Sequence, residues 1–332
     1  MSNSPGTRRT TVLQHQDRVN LCALGISAAL ALYWPLQTFL IAYAFVGPFH
    51  YLTEIAWLRK KQYYYGEGVV SPRWFVAATT ALCVVASLDL YYRKGWTAYI
   101  VALLLVLSLG SLVTNRWVLA GALVLVGATR FLVHGYGLFL AAFVPTVVHV
   151  YVFTLLFLLS GVMRAKRANW LGWVNPALLL ALPMLLVKLP ALPSLPGHYW
   201  MISEAPFAST HRYIAEFLGL GMHFDPGRPL DAGTTAIFRF LAFIYLHHYL
   251  NWFAKTELLE WHKLSRPAWG AIAAIYAASI SMYWYSFTVG FYAVYFLSLL
   301  HVLLELPLDW RAASALVTVP IRQWRAGQAP AS

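Results

Sequence analysis

From near its start to residue 310 the chain alternates uncharged apolar runs with short basic segments, and the runs have the length of a bilayer crossing. They fall at 19–34, 36–58, 73–92, 96–114, 116–133, 134–162, 170–190, 233–253, 267–289 and 290–310. Uncharged runs of about 20 residues point to membrane-spanning helices. The expected fold is therefore all-α, a polytopic transmembrane bundle of about ten spans, with eight or nine if two neighbouring pairs are continuous. Pro35 is expected to divide the stretch between Arg18 and Arg59, and a tight turn at His134-Gly135-Tyr136-Gly137 to separate the fifth and sixth helices.

Of the 332 residues 60% are hydrophobic and 11% charged, which excludes an ordinary soluble domain with about 25% charge. The net charge of +12 would suggest nucleic-acid binding in a soluble protein, but here the basic residues lie between the apolar runs. With the N-terminus inside, 17 of the 24 fall on inner segments, among them Arg59, Lys60, Lys61, Arg164, Lys166, Arg167, Lys255, Lys263 and Arg311. Only Arg93, Lys94, Arg212 and Arg228 fall on outer ones. This asymmetry predicts an integral protein of the plasma or inner membrane with both termini cytoplasmic, and no nucleic-acid partner. The chain divides into a cytoplasmic tail 1–18, a single transmembrane domain 19–310 and a tail 311–332. The first apolar run is read as retained rather than cleaved. The long outer connection 191–232 includes ISEAPFASTHRYIAEFLGL, an expected surface helix. Cys22 and Cys83 form no metal or disulfide motif, and no GxGxxG or Walker sequence occurs.

Ionisable side chains inside a bilayer are costly, so those within the spans are candidate functional groups. His50 and Glu54 occur in FHYLTEIAW, His149 in the sixth run, His247 and His248 in YLHHYLNWF, and His301 and Glu305 in LHVLLELPLDW. Both HxxxE pairs are spaced i, i+4, which stacks each pair on one helix face. Counted at about 1.5 Å per residue, His50 lies about 13 Å from Arg59, His248 about 10 Å from Lys255 and His301 about 15 Å from Arg311. On three helices running the same way these form one layer. His149, about 22 Å before Arg164, is expected deeper, near the midplane.

Imidazoles and carboxylates on separate helices, without thiolates, suit a metal that activates oxygen. The expected ligands are His50, Glu54, His149, His247, His248, His301 and Glu305, with Glu54 and Glu305 as the catalytic carboxylates. Asn251 and Asp309 are expected to hold the ligands by hydrogen bonds. One iron or a pair is the expected metal, with zinc or manganese compatible on ligand type. The alternative for each residue alone is an interhelical hydrogen bond. Weaker candidates are His198, Glu204, His211, His223 and Asp225 in the outer loop, and Glu257, Glu260 and His262 after the eighth helix. Arg130, His134 and Arg239 are expected in the outer half, holding a lipid headgroup or snorkelling.

The HxxxE, HH and HxxxE pattern on neighbouring helices resembles in kind the histidine-rich integral-membrane oxygenases, which include the desaturases and hydroxylases and the membrane carotene-cleaving dioxygenases. The desaturase clusters HxxxxH and HxxHH are absent, and only the dipeptide His247-His248 is similar to them. The resemblance implies a non-haem iron enzyme that acts with O₂ on a lipid or isoprenoid, a hydrophobic substrate reached from the bilayer. A desaturase or hydroxylase would also need a separate electron donor on the cytoplasmic side, because the chain offers no flavin or nicotinamide site. One rival reading is a proton-coupled transporter using the His/Glu pairs, with Pro176, Pro183 and Pro190 breaking the seventh helix. Another is a haem- or chlorophyll-binding subunit using His134 and His149.

Overall fold

The computed structural model describes residues 5–64, 68–92, 94–132, 147–164, 170–190, 215–216, 219 and 230–327. Among these the chain is helical and holds no strand. Helix α1 is Pro5–Tyr33. Helix α2 is Pro35–Lys61 and contains a π turn, Ala42–Val46. There follow α3 (Pro72–Tyr92), α4 (Thr97–Gly110), α5 (Arg116–Leu132), α6 (Thr154–Arg164, preceded by π-wound residues 147–153) and α7 (Trp170–Lys188). The last elements are α8 (Ala232–Ala254), a short α9 (Thr256–Leu259), α10 (Arg266–Tyr285) and α11 (Phe287–Gly327). Four described helical segments are long and apolar enough to cross a membrane: Pro35–Lys61, Pro72–Tyr92, Trp170–Lys188 and Phe287–Leu316.

Local chemistry sets the boundaries. Pro35 cannot donate a backbone hydrogen bond, and α1 and α2 part at Trp34 as expected. Asp231 and Ser265 cap α8 and α10 by accepting from the amides of Thr234 and Ala268. Extended backbone at Ser286 separates α10 from α11. Asp89 accepts from the amide and hydroxyl of Thr97, at 2.7 and 2.6 Å, which clamps the connection between α3 and α4. Helix α11 differs from expectation by continuing past residue 310, because Arg311-Ala312-Ala313-Ser314-Ala315-Leu316 contains no breaker. Likewise α1 already begins at Pro5, inside the polar segment read as a tail. Helix α7 runs unbroken through Pro176 and Pro183.

Helix α8 is the axis of the bundle, packed against α1, α2 and α7, and every residue from Thr234 to Tyr249 is buried. Its enclosure explains how it can carry Arg239, two histidines and Asn251: these meet protein rather than lipid. Arg239 does not snorkel along an exposed face. It is 1% exposed, and its guanidinium donates to the carbonyls of Leu186 (3.4 Å), Leu189 (2.7 Å) and Pro190 (3.1 Å), closing the C-terminal end of α7. Helix α11 packs on α2, α3, α4, α6 and α10. Exposed aromatic residues gather near helix ends, including Trp74, Trp117, Trp170 and Trp284, where an interfacial belt is expected.

Candidate metal centre

Helices α2 and α8 lie parallel and in register. His50 meets His248, the Tyr51 and Tyr249 hydroxyls bond each other, Trp252 Nε1 donates to Thr53 Oγ1, and Trp57 Nε1 donates to the Leu259 carbonyl. At the end Lys60 donates to the Lys263 carbonyl, and over this whole seam the sequence separation grows only from 198 to 203. Helix α11 keeps the same direction, since His50 faces His301 and Glu54 meets Glu305. The shared direction and layer inferred for His50, His248 and His301 are therefore present in the structure. Two local features set the histidines' positions. Pro48 follows the π turn of α2, and a widened turn relieves the clash of a proline ring with the preceding turn. Residue 149 itself lies in the π-wound stretch before α6.

The buried cluster contains four imidazoles and three carboxylates. His50 Nε2 lies 3.1 Å from His248 Nε2 and 3.1 Å from Glu54 Oε2. The His301 ring is centred 5.4 Å from that of His50, with Tyr51 stacked on it at 4.1 Å. His149 is centred 5.1 Å from both His248 and His301, with Nε2 3.6 Å from Glu305 Oε2 and Nδ1 3.6 Å from Asp309 Oδ2. His301, Glu305 and Asp309 form a stripe on α11, each step of four residues advancing about 6 Å. Within each of two sets, His50/His248/His301 and His149/Glu305/Asp309, one donor atom per residue lies within 4.8 Å of the others.

The tautomer of His248 follows from its neighbour. Thr154 Oγ1 lies 2.8 Å from the Val150 carbonyl and 2.8 Å from His248 Nδ1. A hydroxyl has one proton, and the carbonyl can only accept it, so Nδ1 must be the donor in the second contact. His248 Nε2 then presents a lone pair toward His50, as a metal ligand must. Two nitrogens each about 2.1 Å from one ion, at a right angle, are about 3 Å apart. The observed 3.1 Å fits that spacing and equally fits a hydrogen bond in which His50 Nε2 donates to His248 Nε2.

The donor set fits a cation on a second ground. Among the described residues, Asp309 Oδ1 and Oδ2, Glu305 Oε2 and both nitrogens of His149 are buried without a hydrogen-bond partner. His301 leans over the Leu297 and Ser298 carbonyls without a well-formed bond. Native interiors rarely strand so many polar atoms together. The Glu54 and Glu305 carboxyl groups also interact with each other, and such a pair in an apolar interior needs a shared proton or a cation; the Lys255 ammonium acts on both and supplies part of that charge.

Most of the residues expected from the sequence converge here, with exceptions. His247 points away from the cluster, its ring parallel to Phe243 at 6.0 Å, because successive helical residues differ by about 100°. Asn251 is buried, and its Oδ1 accepts no hydrogen bond among the described residues. His149 is not set apart at a deeper level. Its ring lies 5.1 Å from those of His248 and His301, so the residue count to Arg164 does not give its level relative to theirs. Asp309 stands among the potential donors rather than behind them. His262 and Glu257 are exposed and Glu260 pairs with Lys263, so these do not extend the cluster. The outer-loop candidates His198, Glu204, His211, His223 and Asp225, together with His134 and the Arg130 side chain, lie outside the described residues. Sequence reasoning missed Tyr51, Tyr249 and Thr154. The first two carried a signal, the repeated His-Tyr-Leu at 50–52 and 248–250, whereas Thr154 carried none. No family model, curated protein or solved structure matches the chain.

Proposed function

We propose that the chain is a membrane-embedded, metal-dependent oxidoreductase, with non-haem iron as its metal, acting with O₂ on a lipid or isoprenoid. The observation that carries this reading is the buried, thiolate-free cluster of four histidines and three carboxylates with stranded donor atoms. The ten helical segments expected from the sequence would be its crossings, with both termini inside. The basic ends of α2 and α8 lie on one side of the cluster, which supports that orientation.

When bound, iron would supply one-electron chemistry and activation of dioxygen, functions that no side chain here provides. The chain's own part is different. His50, His248 and His301 fix the nitrogen donors, with Thr154 holding the His248 ring. Glu54 and Glu305 offset positive charge and accept or release protons as the charge of the site changes. The aromatic lining, including Tyr51, Tyr249 and Trp252, keeps bulk water out.

An apolar groove of about 440 Å³ between α2 and α10 supports a hydrocarbon substrate. It is lined by Phe45, Phe49, Trp269, Ile272, Ala273 and Tyr276. Phe49 packs on Phe253, whose ring is centred 6.4 Å from that of His50, which links the groove lining to the cluster through ring contacts. Desaturation or hydroxylation would draw on a separate electron donor at the inner face, and dioxygenation would need none. Zinc or manganese remains the alternative metal on ligand type.

A proton-coupled transporter is the second reading, favoured by the position of His149 between Glu305 and Asp309. Against it, α7 is not the broken helix that a carrier would use. Elemental analysis and an absorption spectrum of detergent-purified protein test the proposal. Iron without a Soret band supports it, a Soret or chlorin band points to a tetrapyrrole protein, and protein that takes up neither metal nor pigment points to transport.

A further inference from the structure

The seven side chains of the cluster offer more donors than one ion accepts, since a first-row cation takes about six at most. They also divide by geometry. Three imidazoles on α2, α8 and α11 face one another, while His149 on the π-wound segment before α6 faces two carboxylates of α11, and the two sets share no residue. Glu54 lies between them, 3.1 Å from His50 Nε2 and in contact with Glu305. Among the described residues, buried atoms without a hydrogen-bond partner are found in both sets: His50 Nδ1 and both His301 nitrogens in one, both His149 nitrogens and both Asp309 oxygens in the other.

We infer that the cluster is built for two metal ions in chemically unlike positions: an all-imidazole position formed by His50, His248 and His301, and an oxygen-rich position formed by His149, Glu305 and Asp309, with Glu54 shared between them. The inference rests on the metal-centre reading proposed above and adds the number of ions and the difference between them. Nitrogen donors favour the later first-row cations such as cobalt or zinc, while carboxylate-rich sites suit manganese as well. A pair with a common carboxylate also places two cations on either side of one reacting group, the arrangement that two-metal enzymes use at about 3.5–4 Å separation. The two positions should therefore fill in order when a nitrogen-preferring ion is scarce.

The test is metal stoichiometry on full-length protein in detergent, stripped with chelator and reloaded with Co²⁺ or Mn²⁺, then desalted and analysed for bound metal. Wild type should retain two Co²⁺ per chain, and His301→Gln and His149→Gln should each retain one. The first equivalent should bind at least ten-fold more weakly in His301→Gln and be unchanged in His149→Gln. Mn²⁺ bound after one equivalent of Co²⁺ should be lost in His149→Gln and in Asp309→Asn. Helical content and gel-filtration volume identify any variant that fails to fold, and Asp309→Asn then stands in for His149→Gln, as His50→Gln does for His301→Gln. One ion in folded wild type, lost entirely in either variant, would overturn the two-site inference and leave a single metal centre. No ion in folded wild type would overturn the metal-centre reading itself.

Discussion

Replacing Arg239 with alanine tests whether the most polar part of α8 is structural. The guanidinium makes two hydrogen bonds of ordinary length, at 2.7 and 3.1 Å, and a longer one of 3.4 Å to carbonyls at the end of α7. Hydrogen bonds from a charged donor contribute about 1.5–3 kcal/mol each, so the two shorter ones sum to about 3–6 kcal/mol. Truncation also leaves the carbonyl of buried Leu186 and those of the more exposed Leu189 and Pro190 without this donor, while removing a buried charge returns part of the cost. A net loss of about 3–4 kcal/mol is expected, which for a chain of this length lowers the unfolding temperature by about 4–6 °C. Thermal unfolding in a fixed detergent, followed by the far-ultraviolet helical signal, measures it, with Arg239→Lys expected to recover part of the loss. A change below about 1 kcal/mol in Arg239→Ala, together with labelling of the Arg239→Cys variant by an aqueous thiol reagent, would refute the buried cap and restore a snorkelling arginine.

Four further outcomes follow from the geometry. Thr154→Val removes the acceptor that fixes His248, so Co²⁺ affinity should fall by about 10–100-fold while Thr154→Ser keeps it; equal affinity in both would show that the tautomer is set elsewhere. Tyr51→Phe should cost about 1 kcal/mol in thermal stability. Gly47→Ala should cost more, because its new Cβ would stand 2.8 Å from the Tyr51 hydroxyl and 3.1 Å from that of Tyr249; a tolerated Gly47→Ala would mean that the phenol pair moves freely. Ala273→Trp should fill the groove and reduce cross-linking of a diazirine-bearing acyl chain to α10 at least five-fold without changing metal content. Unchanged cross-linking would place the substrate path elsewhere.

Much of this arrangement was legible because polar groups in apolar runs are rare and basic residues mark helix ends. His50, His248 and His301 could be assigned one layer by counting residues, since their helices are regular between the histidine and the marker. The same count failed for His149, whose 15-residue distance to Arg164 gave no guide to its place beside His248 and His301. Choosing between His247 and His248 was also beyond periodicity, as both sit in a helix that is buried on every side and so has no polar face to orient it. Arg239 was misread for the same reason: its partners are carbonyls of another helix, and backbone acceptors leave no trace in composition. Thr154 shows the limit most plainly, being one of many threonines until α8 is laid against α6.

The seam between α2 and α8 joins segments far apart in the chain, so its geometry is indifferent to the length of what intervenes. Residues can be added to or removed from the surface connections without altering which atoms meet. A single residue inserted inside α8 before His247 is a different matter, since each later side chain would take its successor's place. His247 would then fall into the position of His248, and the cluster would keep its imidazole. His248 would occupy the place of Tyr249, leaving Tyr51 without its hydroxyl partner. The doubled histidine thus gives the seam one residue of tolerance for the imidazole and none for the phenol pair, and an insertion series along α8 would separate the two.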